Sequence, residues 1–227
     1  IDINKKELEK RIQRLLTNDY DEKFKRDFRV IDSGSYKLTN KIKNKNFQFD
    51  FIQPIQYRPF DYQWVYYDPN LISRPADKVM SHIVNKNNVA IVTARQFGGG
   101  KHFICFQTKT ISEISSQPFA PYTLFPLYLY TEDGSKTPNF KKEIIDAIEK
   151  NIGKTTPEDI FDYIYAVLHS PNYREKYKEF LKIDFPRVPY PKDTKTFKQL
   201  AAFGAELRST HLLESSKVNQ FITSYPI

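Results

Sequence analysis

Residues 56–96 read QYRPFDYQWVYYDPNLISRPADKVMSHIVNKNNVAIVTARQ and decide the fold, because they hold two kinds of strand joined by a turn and a short helix. The first run is rich in aromatic residues and is bounded by prolines, which is typical of a strand with restricted pairing. The apolar run at positions 89–94 instead suits a strand buried on both faces. Asp68-Pro69-Asn70 predicts the turn and Pro75 the start of the helix. Arg95 and Gln96 then project from the tip of the second strand.

The sequence on either side of this stretch predicts helices. Residues 4–16 show an amphipathic helical pattern with Asn4 and Glu7 as a capping pair. The pattern of residues 19–31 also predicts a helix, whereas residues 37–45 are typical of a mobile connector. Later helical patterns cover residues 140–151, 157–169, 171–181 and 197–213. We expect an α+β fold in three parts. They are an N-terminal helical segment with a linker (1–46), a central mixed or antiparallel β-rich part (47–135) and a C-terminal helical scaffold (136–227).

The charge of the chain is uneven along its length. Lys and Arg number 35 against 27 Asp and Glu, a formal net charge of +8. The surplus is +4 in residues 1–50, +4 in residues 51–110 and zero in residues 111–227. A basic surplus interleaved with aromatic residues indicates a polyanionic partner, most often nucleic acid. The alternative is that the lysines only keep the protein soluble, because net charge says little about specificity.

Several kinds of catalytic chemistry lack their motifs here. The Asn-Pro-Pro-aromatic loop of an amino-methyltransferase is absent, and Lys101, after three glycines, is followed by His102 where a phosphate-binding loop needs Ser or Thr. The acid and lysine spacing of a metal-dependent nuclease occurs only at 21–23 and 193–195, in polar surface context. The four histidines lack zinc-ligand spacing. We expect no catalytic residue, metal ligand or cofactor in this chain.

Two residues that often carry chemistry have ordinary explanations. Cys105 lies between Ile104 and Phe106, which favours a buried hydrophobic role, and a lone cysteine excludes an internal disulfide. His169 ends a predicted helix, where we expect its imidazole to satisfy the last-turn carbonyls. No apolar run has the length of a membrane span, so a cytoplasmic protein without a membrane partner is expected. The first residue is Ile1 rather than Met, from which we expect a piece of a longer chain.

A family resemblance rests on several motifs: YRPFDYQWVYYDP, RP..KVM.H, N..A.VT.RQ and PEDIFDYIYAVLHSPNYREKYKEFL. Together they resemble the C-terminal target recognition region of the single-chain type ISP restriction-modification enzymes, and the related type IIG enzymes are similar. The resemblance covers about residues 50–216. It implies double-stranded DNA as the partner and a parent chain with nuclease and N6-adenine methyltransferase domains N-terminal to this region. Those domains would use Mg²⁺ and S-adenosylmethionine.

The hydrogen-bonding groups and charges of the side chains indicate which of them would contact DNA. Arginine suits guanine O6 and N7, glutamine suits adenine N6 and N7, and a cation in a basic region suits phosphate. The base-reading candidates are Arg74, Arg95, Gln96 and Lys101. The phosphate candidates are Arg58, Lys78, Ser81, Lys86 and Lys109.

Other readings of the same residues stay open at this point. Arg95 is equally suited to pair with a core-edge carboxylate such as Asp61 or Asp77, and the lysines to a solvated surface. The aromatic run at residues 57–67 is also compatible with a protein-protein docking module, and an RNA-binding module is a third option. The salt dependence of binding separates duplex DNA from an aromatic docking interface, because only the former releases many counterions.

Overall fold

The fold combines helical ends with a strand-rich middle, as the sequence predicts. The computed structural model describes residues 1–96, 103–113, 122–221 and 223. Over these residues the α-helices are α1 Lys5–Leu16, α2 Glu22–Asp27, α3 Leu38–Lys41, α4 Asp77–Met80, α5 Lys142–Ile152, α6 Pro157–His169, α7 Pro171–Lys176, α8 Lys178–Leu181 and α9 Thr194–His211. The strands are β1 Ile52–Arg58, β2 Asp61–Tyr66, β3 Ala90–Ala94, β4 Cys105–Thr108, β5 Ile111–Ser112, β6 Tyr122–Pro126, β7 Tyr128–Tyr130 and β8 Lys136–Pro138. The α+β class is confirmed.

The N-terminal helix α1 begins at a side-chain cap. The Asn4 side chain accepts hydrogen bonds from the backbone N–H groups of Lys6 and Glu7, at 3.0 and 3.3 Å. The N–H of Asn4 donates to the carboxylate of Asp2 at 2.7 Å, so Asp2 completes the cap instead of the predicted Glu7 side chain. On the inner face of the helix, Leu8 is 1% exposed and anchors a hydrophobic cluster with strands β1 and β2.

The segment at residues 37–45 is packed, whereas the sequence predicted a mobile connector. It contains the short helix α3, and Ile42 just after it is buried in the N-terminal cluster. The Lys41 ammonium donates to the carbonyl of Asn70 at 2.6 Å. The polar pattern was misleading because two apolar residues, Leu38 and Ile42, are enough to anchor a short segment. The helix predicted over residues 19–31 is also shorter, since α2 ends at Asp27.

The strands form two three-stranded sheets and a ribbon within the described residues. In the first sheet, of order β2-β1-β5, β1 and β2 make an antiparallel hairpin and β5 lies parallel to β1. The second sheet is antiparallel throughout, with order β4-β3-β6. Strands β7 and β8 pair as far as Pro138, past the boundary expected at residue 135. The mixed and antiparallel middle agrees with the expectation.

The predicted turn and short helix between β2 and β3 both form. The N–H of Asn70 donates to the side chain of Asp68 at 2.8 Å, which closes the turn. Helix α4 begins at Asp77 instead of Pro75, because Ala76 adopts a left-handed conformation with φ of 50°. Its Met80 is buried beneath the second sheet.

Strand β3 lies at the centre of the core, and all five of its residues are buried. Ile91 faces a cluster formed with helices α5 to α9, whereas Ala90 and Val92 face a second cluster that includes Met80. Alternate residues of one strand therefore serve two cores. This arrangement explains the uninterrupted apolar run in the sequence.

Helices α6 and α9 form the centre of the helical part. Thr156 caps α6 by accepting a hydrogen bond from the N–H of Asp159 at 3.1 Å. Between the two helices, Arg208 of α9 donates from Nε and Nη2 to both oxygens of the buried Asp162, at 2.8 and 2.9 Å. Gly204 allows close approach, because its Cα faces the backbone of Asp162 directly.

Two aromatic residues of the helical part are exposed although their helix patterns predicted burial. The predicted helix 171–181 is interrupted at Tyr177, where α7 ends and α8 starts, so Phe180 turns outward and is 66% exposed. Phe203 is 60% exposed because α9 presents Phe197, Ala201 and Gly204 to its neighbours instead. Residues 185–191 contain no helix or strand, as predicted for an extended connector.

Candidate nucleic-acid interface

The C-terminal end of β3 presents Arg95 and Gln96 at the surface. Pairing with β6 fixes the backbone up to residue 94, and both following side chains are exposed. The Nε of Arg95 donates to Oδ1 of Asp184 at 3.1 Å, and the Nε2 of Gln96 donates to the carbonyl of Ile183 at 3.3 Å. Two base-reading candidates thus converge on one short segment between α8 and α9.

Asp184 is itself fixed from two sides. The backbone N–H of Phe185 and the guanidinium of Arg95 bond its carboxylate, and they hold the pKa of Asp184 below its usual value. Phe185 packs edge-on against Phe125 of β6, with ring centroids 5.3 Å apart. Because β6 is hydrogen-bonded to β3, these contacts connect Asp184 back to the strand that carries Arg95.

The partner of Arg95 differs from both carboxylates considered from the sequence, Asp61 and Asp77. Arg95 and Asp184 are 89 residues apart, so no local pattern connects them. The two side chains are 67% and 44% exposed. An ion pair this accessible adds only about 0–1 kcal/mol to stability. Its main effect is therefore on the orientation of Arg95.

Arg74 lies in a different place. It is exposed at the rim of an open cavity of about 570 Å³ between the first sheet and α4, lined also by Tyr67, Met80 and Glu113. The Tyr67 hydroxyl donates to the carbonyl of Pro75 at 2.6 Å and fixes the backbone next to Arg74. Lys101, the remaining base-reading candidate, lies outside the described residues.

The phosphate candidates have varied surroundings. The guanidinium of Arg58 stacks on Tyr57 at 4.1 Å from the ring centroid and donates to its carbonyl at 2.6 Å. The Lys86 ammonium lies 5.2 Å from the ring centroid of Tyr130. Lys109 pairs with Glu214 at 2.6 Å. Two further candidates are exposed on or just after α4: Lys78 and Ser81.

These candidates do not form one cluster with Arg95. Lys109 follows Thr108, which pairs with Ala90 at the start of β3, whereas Arg95 follows the end of this strand. The five residues of β3 span about 17 Å at roughly 3.3 Å per residue, or about five base pairs of duplex. Lys109 and Arg95 therefore lie beyond opposite ends of β3.

The second sheet also separates the candidates. Helix α4, which carries Lys78, packs through Met80 against the face that Val92 presents. On the opposite face, Thr93 and Phe185 line an apolar cavity of about 370 Å³. Of the candidates that the structure describes, only Arg95 and Gln96 contact the same segment, residues 183–184. Sequence reasoning missed Ile183 and Asp184, because their role depends on tertiary contacts.

A partly buried polar cluster lies at the end of α6, beside Cys105, which pairs with Thr93 near the end of β3. The Nε of Arg174 donates to the carbonyl of Leu168 at 2.6 Å, so the arginine satisfies the last turn that the sequence assigned to His169. The Nδ1 of His169 contacts Arg174 at 3.1 Å. Burial, then the charges of Arg174 and His211, lower the pKa of His169 to about 4. Burial raises the pKa of Cys105 to about 12, consistent with a hydrophobic role.

Neither metal binding nor membrane insertion is indicated by the described part of the chain. Residues 1–96, 103–113, 122–221 and 223 contain no group of three or more His, Cys, Asp or Glu placed to hold a metal ion. None of the helices in these ranges has the length and apolarity needed to cross a bilayer.

The family of the chain follows from comparison with known proteins. The model of the family described as "Type ISP C-terminal specificity domain" matches residues 1–227. The chain therefore belongs to the Type ISP C-terminal specificity domain family, which confirms the resemblance seen in its motifs. No curated protein matches the chain in sequence.

Solved structures share the fold. The cryo-EM structure of the DrdV–DNA complex is 26% identical with a TM-score of 0.74, and the match covers 99% of this chain and 22% of that chain. The ATP-dependent Type ISP restriction-modification enzyme LlaBIII bound to DNA is 23% identical with a TM-score of 0.74, over 93% of this chain and 15% of that one. A nuclease-deletion mutant of the Type ISP enzyme LlaGI, in complex with a DNA substrate mimic, is 24% identical with a TM-score of 0.61, over 92% and 19%. The chain thus spans about a fifth of the length of these proteins or less.

Proposed function

We propose that this chain selects the DNA sequence for a Type ISP restriction-modification enzyme by binding duplex DNA, without catalysis of its own. The observation that carries the proposal is the match of a specificity-domain family over residues 1–227. DrdV, at 26% identity over nearly the whole chain, has its structure in a complex with DNA. The basic surplus of residues 1–110 supplies the charge that a duplex partner requires.

Base reading is assigned to the tip of β3. The strand fixes the backbone, and residues 183–184 hold the side chains of Arg95 and Gln96 at the surface. Arginine offers paired donors to guanine O6 and N7, and glutamine offers a donor and an acceptor to adenine. Phosphate contacts are assigned to exposed cations away from the tip of β3, such as Lys78 and Lys109.

The remaining activities belong to other parts of the full-length protein in this proposal. A nuclease using Mg²⁺ and an N6-adenine methyltransferase using S-adenosylmethionine would act on the DNA that this chain selects. The full-length enzyme would work in the cytoplasm, where bacterial DNA lies. Duplex DNA and these two domains are the proposed partners.

The docking-module alternative loses its main argument in the structure. Tyr66 and Tyr67 are only 7% and 6% exposed, so these rings of the aromatic run are core residues. Trp64 is half-buried, and the ammonium of Lys5 lies 4.6 Å from its ring centroid. In the aromatic run, the exposed rings are those of Phe60 and Tyr62, at 53% and 37% exposure.

The test is selection of duplexes from a randomised pool by the full-length protein, followed by sequencing. Wild type should enrich one motif. Replacing Arg95 or Gln96 by Ala should relax one base position by about 1–3 kcal/mol of discrimination. Arg26→Ala is the matched control, because Arg26 is 75% exposed and lies far from β3 on α2. A uniform loss across all sequences together with a lowered melting temperature would assign Arg95 and Gln96 to the fold instead.

Phosphate contacts have a separate test. Lys78→Ala should weaken binding to all duplexes alike and flatten the salt dependence of log Kd by about one unit. Lys142→Ala, at an 83% exposed position in the charge-balanced region, is the control and should change neither quantity. An unchanged slope for the Lys78 variant would exclude this lysine from the interface. If wild type enriched no motif and bound with little salt dependence, duplex recognition itself would be excluded.

A further inference from the structure

The contact between Arg95 and Asp184 uses one edge of the guanidinium. The Nε of Arg95 donates to Oδ1 of Asp184 at 3.1 Å, and among the residues that the structure describes neither Nη atom has an acceptor. A guanidinium carries five N–H donors in a rigid plane, and guanine needs two of them for O6 and N7. Holding Nε therefore sets the plane and direction of the group and leaves the outer donors for a base.

The neighbouring glutamine is held in the same manner. The Nε2 of Gln96 uses one of its two hydrogens for the carbonyl of Ile183, at 3.3 Å. The second hydrogen and the amide oxygen remain for N7 and N6 of adenine. Adjacent residues 183 and 184 thus orient adjacent residues 95 and 96.

Contacts connect the anchor to the sheet that carries Arg95. Asp184 bonds the N–H of Phe185, whose ring packs 5.3 Å from that of Phe125 on β6. Strand β6 pairs with β3. Asp184 is therefore positioned relative to the same sheet that carries Arg95. Pre-oriented side chains lose less conformational entropy on binding, which favours a fixed target geometry.

The charge of Asp184 also distinguishes two kinds of DNA contact. A carboxylate beside an arginine repels a phosphate, which is charged, more than it repels the uncharged edge of guanine. Without this carboxylate, Arg95 would be a free cation able to bind any phosphate. Discrimination against wrong partners is commonly built from such repulsive elements.

We propose that Asp184 is a specificity-determining positioning residue, which orients Arg95 for guanine and keeps it from the phosphates of non-target DNA. The proposal rests on the proposed function, in that Arg95 reads a base. It also gives the helical part, through Asp184, a share in base reading. Residues from both parts of the chain would set the target sequence.

The experiment compares the full-length wild-type protein with Asp184→Asn, Asp184→Ala, Arg95→Ala and a control. Asp146→Asn is the matched control, because this aspartate also forms an exposed ion pair, with Lys142 at 2.7 Å. Each protein is used to select duplexes from a randomised pool, and its affinity for a duplex without the motif is measured against salt. Thermal unfolding is recorded in parallel.

Asp184→Ala should lose about tenfold of discrimination at the same base position that Arg95→Ala relaxes, and at no other. Asp184→Asn should lose less, because its amide oxygen still accepts a hydrogen bond from Arg95. Both Asp184 variants should bind the duplex without the motif more tightly, with a salt slope steeper by about one unit. The control should match wild type in every measurement.

Contrary results separate the two proposals. If the Asp184 variants kept full discrimination while Arg95→Ala relaxed one position, the role of Asp184 would be refuted and base reading by Arg95 would stand. Relaxation at a different position from that of Arg95→Ala, or a uniform loss of affinity with a lower melting temperature, would also refute it. A wild-type protein that enriched no motif would remove the proposed function and this inference together.

Discussion

Gly204 lies in α9 at the point where this helix crosses α6, and replacing it by alanine tests the helix packing directly. A Cβ at this position would lie 1.9 Å from the carbonyl oxygen of Asp162, 2.5 Å from its carbonyl carbon and 3.0 Å from its Cα. All three atoms belong to the backbone of α6, so no side-chain rotation relieves the overlap. The helices would have to separate by about 1 Å, which a close-packed interface does not absorb without loss of contacts.

Two opposing terms set the size of the effect. In an unobstructed helix, alanine in place of glycine stabilises by about 0.5–1 kcal/mol. Overpacking costs about 1–3 kcal/mol, and a backbone overlap belongs at the upper end of this range. We therefore expect Gly204→Ala to lower the free energy of unfolding by about 2 kcal/mol, equivalent to a melting temperature lower by about 4–8 °C in a chain of this size.

The assay is urea unfolding of the 227-residue chain followed by circular dichroism, with Lys198→Ala as the control on an exposed position of the same helix. The control should remain within about 0.5 kcal/mol of wild type. A Gly204→Ala protein more stable than wild type would refute the close crossing of α6 and α9, since only the helix-propensity term would then operate.

Three further outcomes follow from the helical part. Arg208→Ala should lower the free energy of unfolding by about 3–5 kcal/mol, because it leaves Asp162, 4% exposed, as an uncompensated buried charge; urea unfolding measures this, and a loss below 1 kcal/mol would contradict it. Leu168→Ala, at a residue 2% exposed, should cost about 2–5 kcal/mol, and Ile164→Ala should cost less because this side chain is only partly buried; equal costs would contradict the burial difference. His169 has a lowered pKa in the folded protein, so the unfolded chain binds more protons between about pH 4 and 6.5, and stability should be complete above that range and fall as the pH falls through it. His169→Gln should flatten this fall by up to about one proton in unfolding titrations at several pH values, and an unchanged slope would show that His169 is not responsible.

Local elements were predictable from the sequence because their causes are local. The cap at Asn4 and the turn at Asp68 depend on hydrogen bonds within a few residues. The burial of β3 was predictable for a different reason. An apolar run of this length, with Thr93 as its one polar residue, is typical of a strand buried on both faces.

The errors in prediction have tertiary causes. Phe180 was expected to be buried because a continuous helix through residue 181 would have placed it inside, but the break at Tyr177 rotates it outward. Ile42 packs into a core that is completed by β1, which a local pattern does not show.

In the candidate site, too, the features with local causes were predictable and those with tertiary causes were not. Sequence placed Arg95 and Gln96 at the end of β3, because the strand itself was evident. The Asp184 partner was not predictable, since it joins residues 89 positions apart through the path of the chain between α8 and α9. Lys78, Lys86 and Lys109 were grouped by charge alone, and the structure distributes them over different ends and faces of the second sheet.

The residues of strand β3 and the two residues that follow it have different structural roles, and this difference has an evolutionary consequence. Residues 90–94 serve two cores, whereas residues 95 and 96 lie beyond the last ladder pair, and the exposed ion pair of Arg95 adds only about 0–1 kcal/mol to stability. Substitutions at 95 and 96, accompanied by changes at 183 and 184, should therefore be nearly neutral for stability. Under the proposed function, a few codon changes at these four positions would give the domain a new target sequence, and a library randomised at them is a compact starting point for engineering one.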